Sequence, residues 1–96
     1  MRVMMKVRMP VEGGNAGVKS GELPKVIAEF MQRQKPEAAY FTVTDGCRSM
    51  IAVIDVKSSS EVPALCEPFF LAFNASIDLT PCMSYEELGQ GLSALQ

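Results

Sequence analysis

The sequence predicts an α+β fold in which two main helices lie on one face of a four-stranded antiparallel sheet and one further helix follows. Three observations carry that expectation. Residues 1–9 alternate with the period of a strand, Val3, Met5, Val7 and Met9 on one face and Arg2, Met4, Lys6 and Arg8 on the other. Two β-rich runs, Glu37 to Thr44 and Cys47 to Val56, are joined by Asp45-Gly46, a dipeptide suited to a type I′ turn because both central residues need positive φ. Helical stripes fall before and after that hairpin, so the order of elements reads β-α-β-β-α-β-α.

Composition excludes more functions than it supports. At 96 residues and 48% apolar the chain has the size and apolar content for one globular domain with one core. It contains no His, which removes Ser-His and Cys-His nucleophile pairs, imidazole zinc ligands and a proximal haem ligand. A net charge of −2 argues against nucleic acid, which needs a clustered cationic surface. No apolar window approaches the roughly 18 residues of a membrane span, and Lys6 and Arg8 interrupt any signal-peptide core, so the expected location is cytoplasmic, with no membrane partner. Cys47, Cys66 and Cys82 show no C-x-x-C spacing and are expected to be buried, reduced thiols, with no metal bound.

The elements follow in order. Pro10 ends the first strand, and VEGGNAGVKSGE (11–22) reads as a Gly-rich loop with at most a short irregular helix. Ser20 is placed to cap the next helix, Pro24 falls in its first turn, and Leu23, Val26, Ile27, Phe30 and Met31 form its apolar stripe; it should stop before Pro36. In the hairpin, Thr44 opposite Cys47 places Val43, Phe41 and Ala39 beside Arg48, Met50 and Ala52 on one face. Thr42, Tyr40 and Ala38 lie beside Ser49, Ile51 and Val53 on the other. Ser58 with Glu61 is spaced as a capping box for a helix carrying Val62, Leu65, Cys66, Phe69 and Phe73, and Pro68 should kink or split it. Ile77 and Leu79 alternate with Asp78 and Thr80 in a last strand closed by Pro81. Ser84 with Glu87 makes a second capping box for a helix through Leu88, Leu92 and Leu95.

This order is the split β-α-β pattern of ferredoxin-like folds, with an added C-terminal helix. One helical layer covers one face of the sheet, while the hairpin leaves apolar residues on both; a second copy packing against the other face is therefore expected, giving a homodimer. Two small pieces invite chemistry and fail on spacing or context. GGNAGVKS lacks the glycine and lysine spacing of a phosphate-binding loop and reads as a surface loop or a flap over a pocket. The seven Met residues read as core filler.

The candidate site lies on the polar side of the first strand. Lys6 and Arg8 point away from the helices, and Asp78, on a neighbouring last strand, should face Lys6 across the sheet; Tyr40 and Thr42 fall on the same surface. Two readings stay open. The group is an ion pair that fixes dimer register, or a pocket where Lys6 or Arg8 holds an anionic or carbonyl-bearing small molecule while Tyr40 donates a hydrogen bond. Glu67, in the apolar run PALCEPFFLAF, is a candidate general base if burial raises its pKa; pointing outward, it is a surface residue. Glu37 is a weaker case of the same kind.

KPEAAYF (35–41), EPFF (67–70) and the P-x-M of Pro81 to Met83, at these places in the chain, resemble a family of short bacterial proteins whose motifs are tied to no known chemistry. More distantly the chain resembles the dimeric α+β barrel superfamily, which includes cofactor-free monooxygenases and muconolactone-type isomerases. That resemblance implies a homodimer with a pocket in each protomer and no cofactor. It carries over no catalytic residue. Two functional readings result: a small-molecule-binding protein, extending to a cofactor-free monooxygenase- or isomerase-like enzyme, or a non-catalytic dimerisation or accessory module.

Overall fold

A computed structural model describes all 96 residues. The chain runs β1 (Arg2–Met9), α1 (Val11–Ser20), α2 (Glu22–Gln34), β2 (Ala38–Thr44), β3 (Cys47–Asp55), a single 3₁₀ turn (Ser59–Glu61), α3 (Val62–Phe73), β4 (Ser76–Pro81) and α4 (Tyr85–Ser93). The strands form one antiparallel sheet in the order β2-β3-β1-β4, so each helical crossover skips one strand. This is the ferredoxin-like arrangement expected from the element order. The hairpin register is also as expected, Thr44 opposite Cys47 and Ala38 opposite Val53, with Asp45 and Gly46 at φ 52° and 77°.

Alternation dictates the core. Val3, Met5, Val7 and Met9 of β1 and Met50, Ala52 and Ile54 of β3 face the helices, and Val26 and Phe30 of α2 close over them with Leu65, Cys66, Phe69 and Phe73 of α3. Phe69 sits between Phe30, edge-on with centroids 5.5 Å apart, and Phe73, tilted at 6.4 Å.

The structure corrects two expectations on the helical side. The Gly-rich segment is no flap or loop: it is the helix α1, packed in the layer with Gly14 and Gly17 buried. Its glycines serve close approach. A Cβ on Gly13 would stand 2.2 Å from the backbone oxygen of Phe73, and one on Gly17 would stand 2.6 Å from the Phe73 ring. Ser20 does not cap α2, because α1 extends through it and Gly21, at φ 82°, joins the two helices. Ser20 Oγ still accepts a hydrogen bond from the Glu22 amide at 3.2 Å.

Of the kink or split expected at Pro68, there is no split: α3 continues from Val62 to Phe73 with the proline inside it. Proline at 68 removes the amide that would bond the carbonyl of Ala64, one turn back. Arg33 of α2 supplies a replacement, its Nη2 donating to that carbonyl at 3.3 Å. Arg33→Met is therefore expected to cost about 1 kcal/mol, and less when Pro68→Ala restores an amide to Ala64. A urea double-mutant cycle measures the difference; additive effects would show that Arg33 does not compensate for the proline.

Both capping boxes form. Ser58 and Glu61 close the 3₁₀ turn that leads into α3, and Ser84 and Glu87 start α4. Glu87 and Glu37 both also pair with Arg2, tying α4 to the sheet. Leu88, Leu92 and Leu95 nevertheless stay exposed, and the molecule extends to 55 × 27 × 17 Å. All three cysteines are free, but only Cys66 is buried; Cys47 and Cys82 are half-buried, because both lie at the periphery of the sheet. No helix is long and apolar enough to cross a membrane.

Candidate functional site

Without a second helical layer, the open face of the sheet displays cross-strand rows. One row reads Tyr40, Ile51, Lys6, Asp78 across β2, β3, β1 and β4; the next reads Thr42, Ser49, Arg8, Ser76. The expected pairing of Lys6 with Asp78 across β1 and β4 is thus present in register. It is not an ion pair: the salt bridges of the chain are Met1–Asp55, Arg2–Glu37, Arg2–Glu87 and Arg8–Asp45. Lys6 is half-buried as a residue and Asp78 exposed, and neither the ammonium nor the carboxylate has a salt-bridge partner.

Lys6, Arg8, Asp45, Ser76, Ile77 and Asp78 line a cleft of about 270 Å³. It adjoins a hollow of about 470 Å³ that shares Arg8, Asp45 and Ser76 and reaches the half-buried Cys47. Arg8 Nη1 donates to Asp45 Oδ2 at 3.0 Å, and since both side chains are exposed this pair adds little stability and leaves the guanidinium able to exchange partners. Two cations and two carboxylates therefore share the cleft.

Two expected site residues fall elsewhere. Tyr40 is on the open face, yet β3 separates its strand from β1, about 9–10 Å from Lys6 by strand spacing; at 70% exposed it lines no part of the cleft. Glu67 is exposed on α3, which packs on the opposite face of the sheet, so it shares no cavity with Lys6 or Arg8. Its nearest electrostatic consequence is on Cys66, whose thiol is pushed up chiefly by burial and further by the Glu67 charge. Glu37 is engaged with Arg2 at 2.8 Å, a hydrogen bond that pushes the Arg2 guanidinium up against the opposing effect of desolvation.

Asp45 was not singled out from sequence as a site residue. It reads there as a turn former, and only the pairing of β1 with β3, setting Arg8 opposite Ser49, brings the turn beside Arg8. A separate hollow of about 310 Å³ lies at the other end of β1, walled mainly by Met1, Val3, Val56, Val62, Leu79 and Pro81. No three Cys, Asp or Glu side chains gather as metal ligands.

The architecture and this surface define a ferredoxin-like α+β domain with one open sheet face. No protein-family model matches the chain, and no curated protein matches it in sequence. Among solved structures it is similar to a formyltetrahydrofolate deformylase from Pseudomonas putida KT2440, with a TM-score of 0.54 and 12% identity over 85% of this chain. The chain spans 29% of that enzyme's length. It is also similar to the de novo designed protein Ferredog-Diesel, with a TM-score of 0.50 and 13% identity over 84% of this chain and 85% of that one. At these identities the likeness is one of fold, and of the resemblance read from sequence it supports the ferredoxin-like fold.

Proposed function

We propose that the protein is a small-molecule-binding module whose site is the cleft at the β1–β4 side of the open face. The observation that supports this is Lys6, a half-buried residue lining the cleft whose ammonium has no ion-pair partner although Asp78 is its register neighbour. An unpaired cation in a cleft gains from an anionic or carbonyl oxygen brought by a ligand. Arg8 offers a second donor one row away, and Asp78 a carboxylate for a donor group on the ligand. The reading is binding rather than catalysis, because the carboxyl considered as a base, Glu67, lies across the sheet from the cleft.

A second copy closing the open face, as the barrel resemblance implies, would cover Arg2, Lys6, Arg8 and Asp78 together. Desolvating charges costs several kcal/mol per ion unless each finds a partner. The reading adopted here leaves that face to the ligand. The non-catalytic dimerisation or accessory module remains the second reading, favoured by the uncovered Leu88 and Leu92 on α4 and Leu95 just beyond it.

A thermal-shift screen against small carboxylates, oxo acids, phenols and quinones tests the proposal. A ligand at a hundred times its Kd stabilises by about 2.7 kcal/mol, a rise of roughly ten degrees or more for a domain of this size. The rise is expected to vanish in Lys6→Met and shrink in Arg8→Met. A flat screen, or a shift indifferent to both substitutions, would sink the proposal.

A further inference from the structure

We propose that β2 is a self-association edge, and that two copies pair β2 against β2 in antiparallel fashion about a two-fold axis, making one continuous eight-stranded sheet. This stands independently of the ligand reading. β2 ends the sheet, so one of its sides has no strand beside it. With a two-residue turn the closing pair Thr44–Cys47 is hydrogen-bonded, and by alternation Thr42, Tyr40 and Ala38 turn their backbone groups to β3. Ala39, Phe41 and Val43 turn theirs outward.

Edge strands are ordinarily blunted by a charge, a proline or a bulge. The opposite edge obeys this rule: β4 carries Asp78 at mid-strand and ends at Pro81. β2 does not. AAYFTVT (38–44) has no charged residue, no proline and no glycine, and its pairing with β3 runs residue for residue, the Glu37 amide just before it also bonding the Val53 carbonyl at 2.8 Å. Tyr40, Phe41 and Val43 are 70%, 52% and 68% exposed, on both faces of the strand. On the helix side the edge continues into an apolar groove of about 370 Å³, where Phe41 and Val43 meet Leu23 and Ile27 of α2. One charged side chain, Arg48 opposite Val43, also lines the groove, and its Nη1 donates to Asn15 Oδ1 at 3.1 Å.

The occupant follows from register and charge. An axis through Phe41 sets Phe41 against its own copy, Ala39 against Val43 and Tyr40 against Thr42 of the second copy. Every outward backbone group then meets a partner, about six hydrogen bonds in all. In a self-pair any charge within the strand would recur close to its like; β2 has none. The acids just beyond its ends, Glu37 and Asp45, would come opposite each other across the axis, but each is already held by an arginine of its own chain, Arg2 and Arg8. Each end therefore carries an arginine beside its carboxylate, Arg8 beside Asp45 and Arg2 shared between Glu37 and Glu87, so the carboxylates do not meet bare.

Sedimentation velocity over a micromolar to millimolar range tests this, with Phe41→Lys, Met4→Lys and Leu92→Lys as variants and circular dichroism to confirm that each is folded. All three positions are exposed. Wild type is expected to dimerise, and Phe41→Lys, which sets two ammonium groups on the axis, to raise the dissociation constant by at least about tenfold, while the other two variants dimerise as wild type does. A monomer throughout overturns the proposal. So does a dimer that survives Phe41→Lys, whether it is lost in Met4→Lys, which would place the contact on the open face, or in Leu92→Lys, which would place it on α4.

Discussion

Gly13→Ala is expected to destabilise the protein by about 1–3 kcal/mol, toward the upper end of the cost of overpacking, although in an exposed helix the same change gains roughly 1 kcal/mol. The sign reverses because of what the new methyl would meet. A Cβ at Gly13 stands 2.2 Å from the Phe73 backbone oxygen and 2.9 Å from its carbonyl carbon, so no side-chain rotation relieves the contact and α1 must lift off α3. Gly89 is the control: it lies in α4 with nothing within 4 Å of the added atom. Gly89→Ala should leave the urea midpoint unchanged or slightly raised. Urea unfolding of the two variants decides it, and a Gly13→Ala protein as stable as wild type would mean that α1 is not clamped against α3 as described.

The same glycines mark where the sequence misleads. Read by propensity, three glycines within five residues argue for a loop, since each weakens a helix by its backbone entropy. What they permit is tertiary: Gly13 and Gly17, one turn apart, let α1 approach Phe73 closely. That benefit depends on α3, some 50 residues later, and leaves no local trace. By contrast β1, the Asp45-Gly46 hairpin with its register, and both capping boxes were legible, because each rests on neighbours a few residues apart. The hydrogen bond from Arg33 to the Ala64 carbonyl freed by Pro68 was hidden for the first reason, since it comes from another helix.

The candidate site divides along the same line. Lys6, Arg8 and Asp78 share a face because alternation within each strand and the usual strand order put them there, and the Lys6–Asp78 register follows. Tyr40 shares that face but not that cleft: alternation fixes the side of a sheet and is silent on how many strands intervene. Asp45 joins the cleft through pairing between β1 and β3, which no local pattern encodes. The apolar excess of the chain likewise has another location than expected. The β1 and β4 side of the open face is largely polar, with Lys6, Arg8, Ser76, Asp78 and Thr80, and exposed apolar side chains are spread over β2, α3 and α4.

Phe69→Ala is expected to cost about 3–5 kcal/mol, the range for removing a fully buried aromatic ring, and to leave a domain of this size close to unfolding. Phe69 is 0% exposed and joins Phe30 of α2 to Phe73 of α3, so its ring binds the helical layer together above β1 and β3. The adjacent Phe70 is the contrast, since it turns outward at 38% exposure and Phe70→Ala should cost less than about 1 kcal/mol. Equilibrium denaturation of both variants measures the gap, and similar losses would mean that α3 is rotated from the orientation seen here. The pair also separates scaffold from site. Lys6→Met and Arg8→Met should abolish or weaken ligand stabilisation with the unliganded melting point nearly intact, because neither side chain belongs to the core. Phe69→Ala should lower the melting point of the unliganded protein itself, and any ligand it still binds should restore part of that loss through the unchanged Lys6 and Arg8.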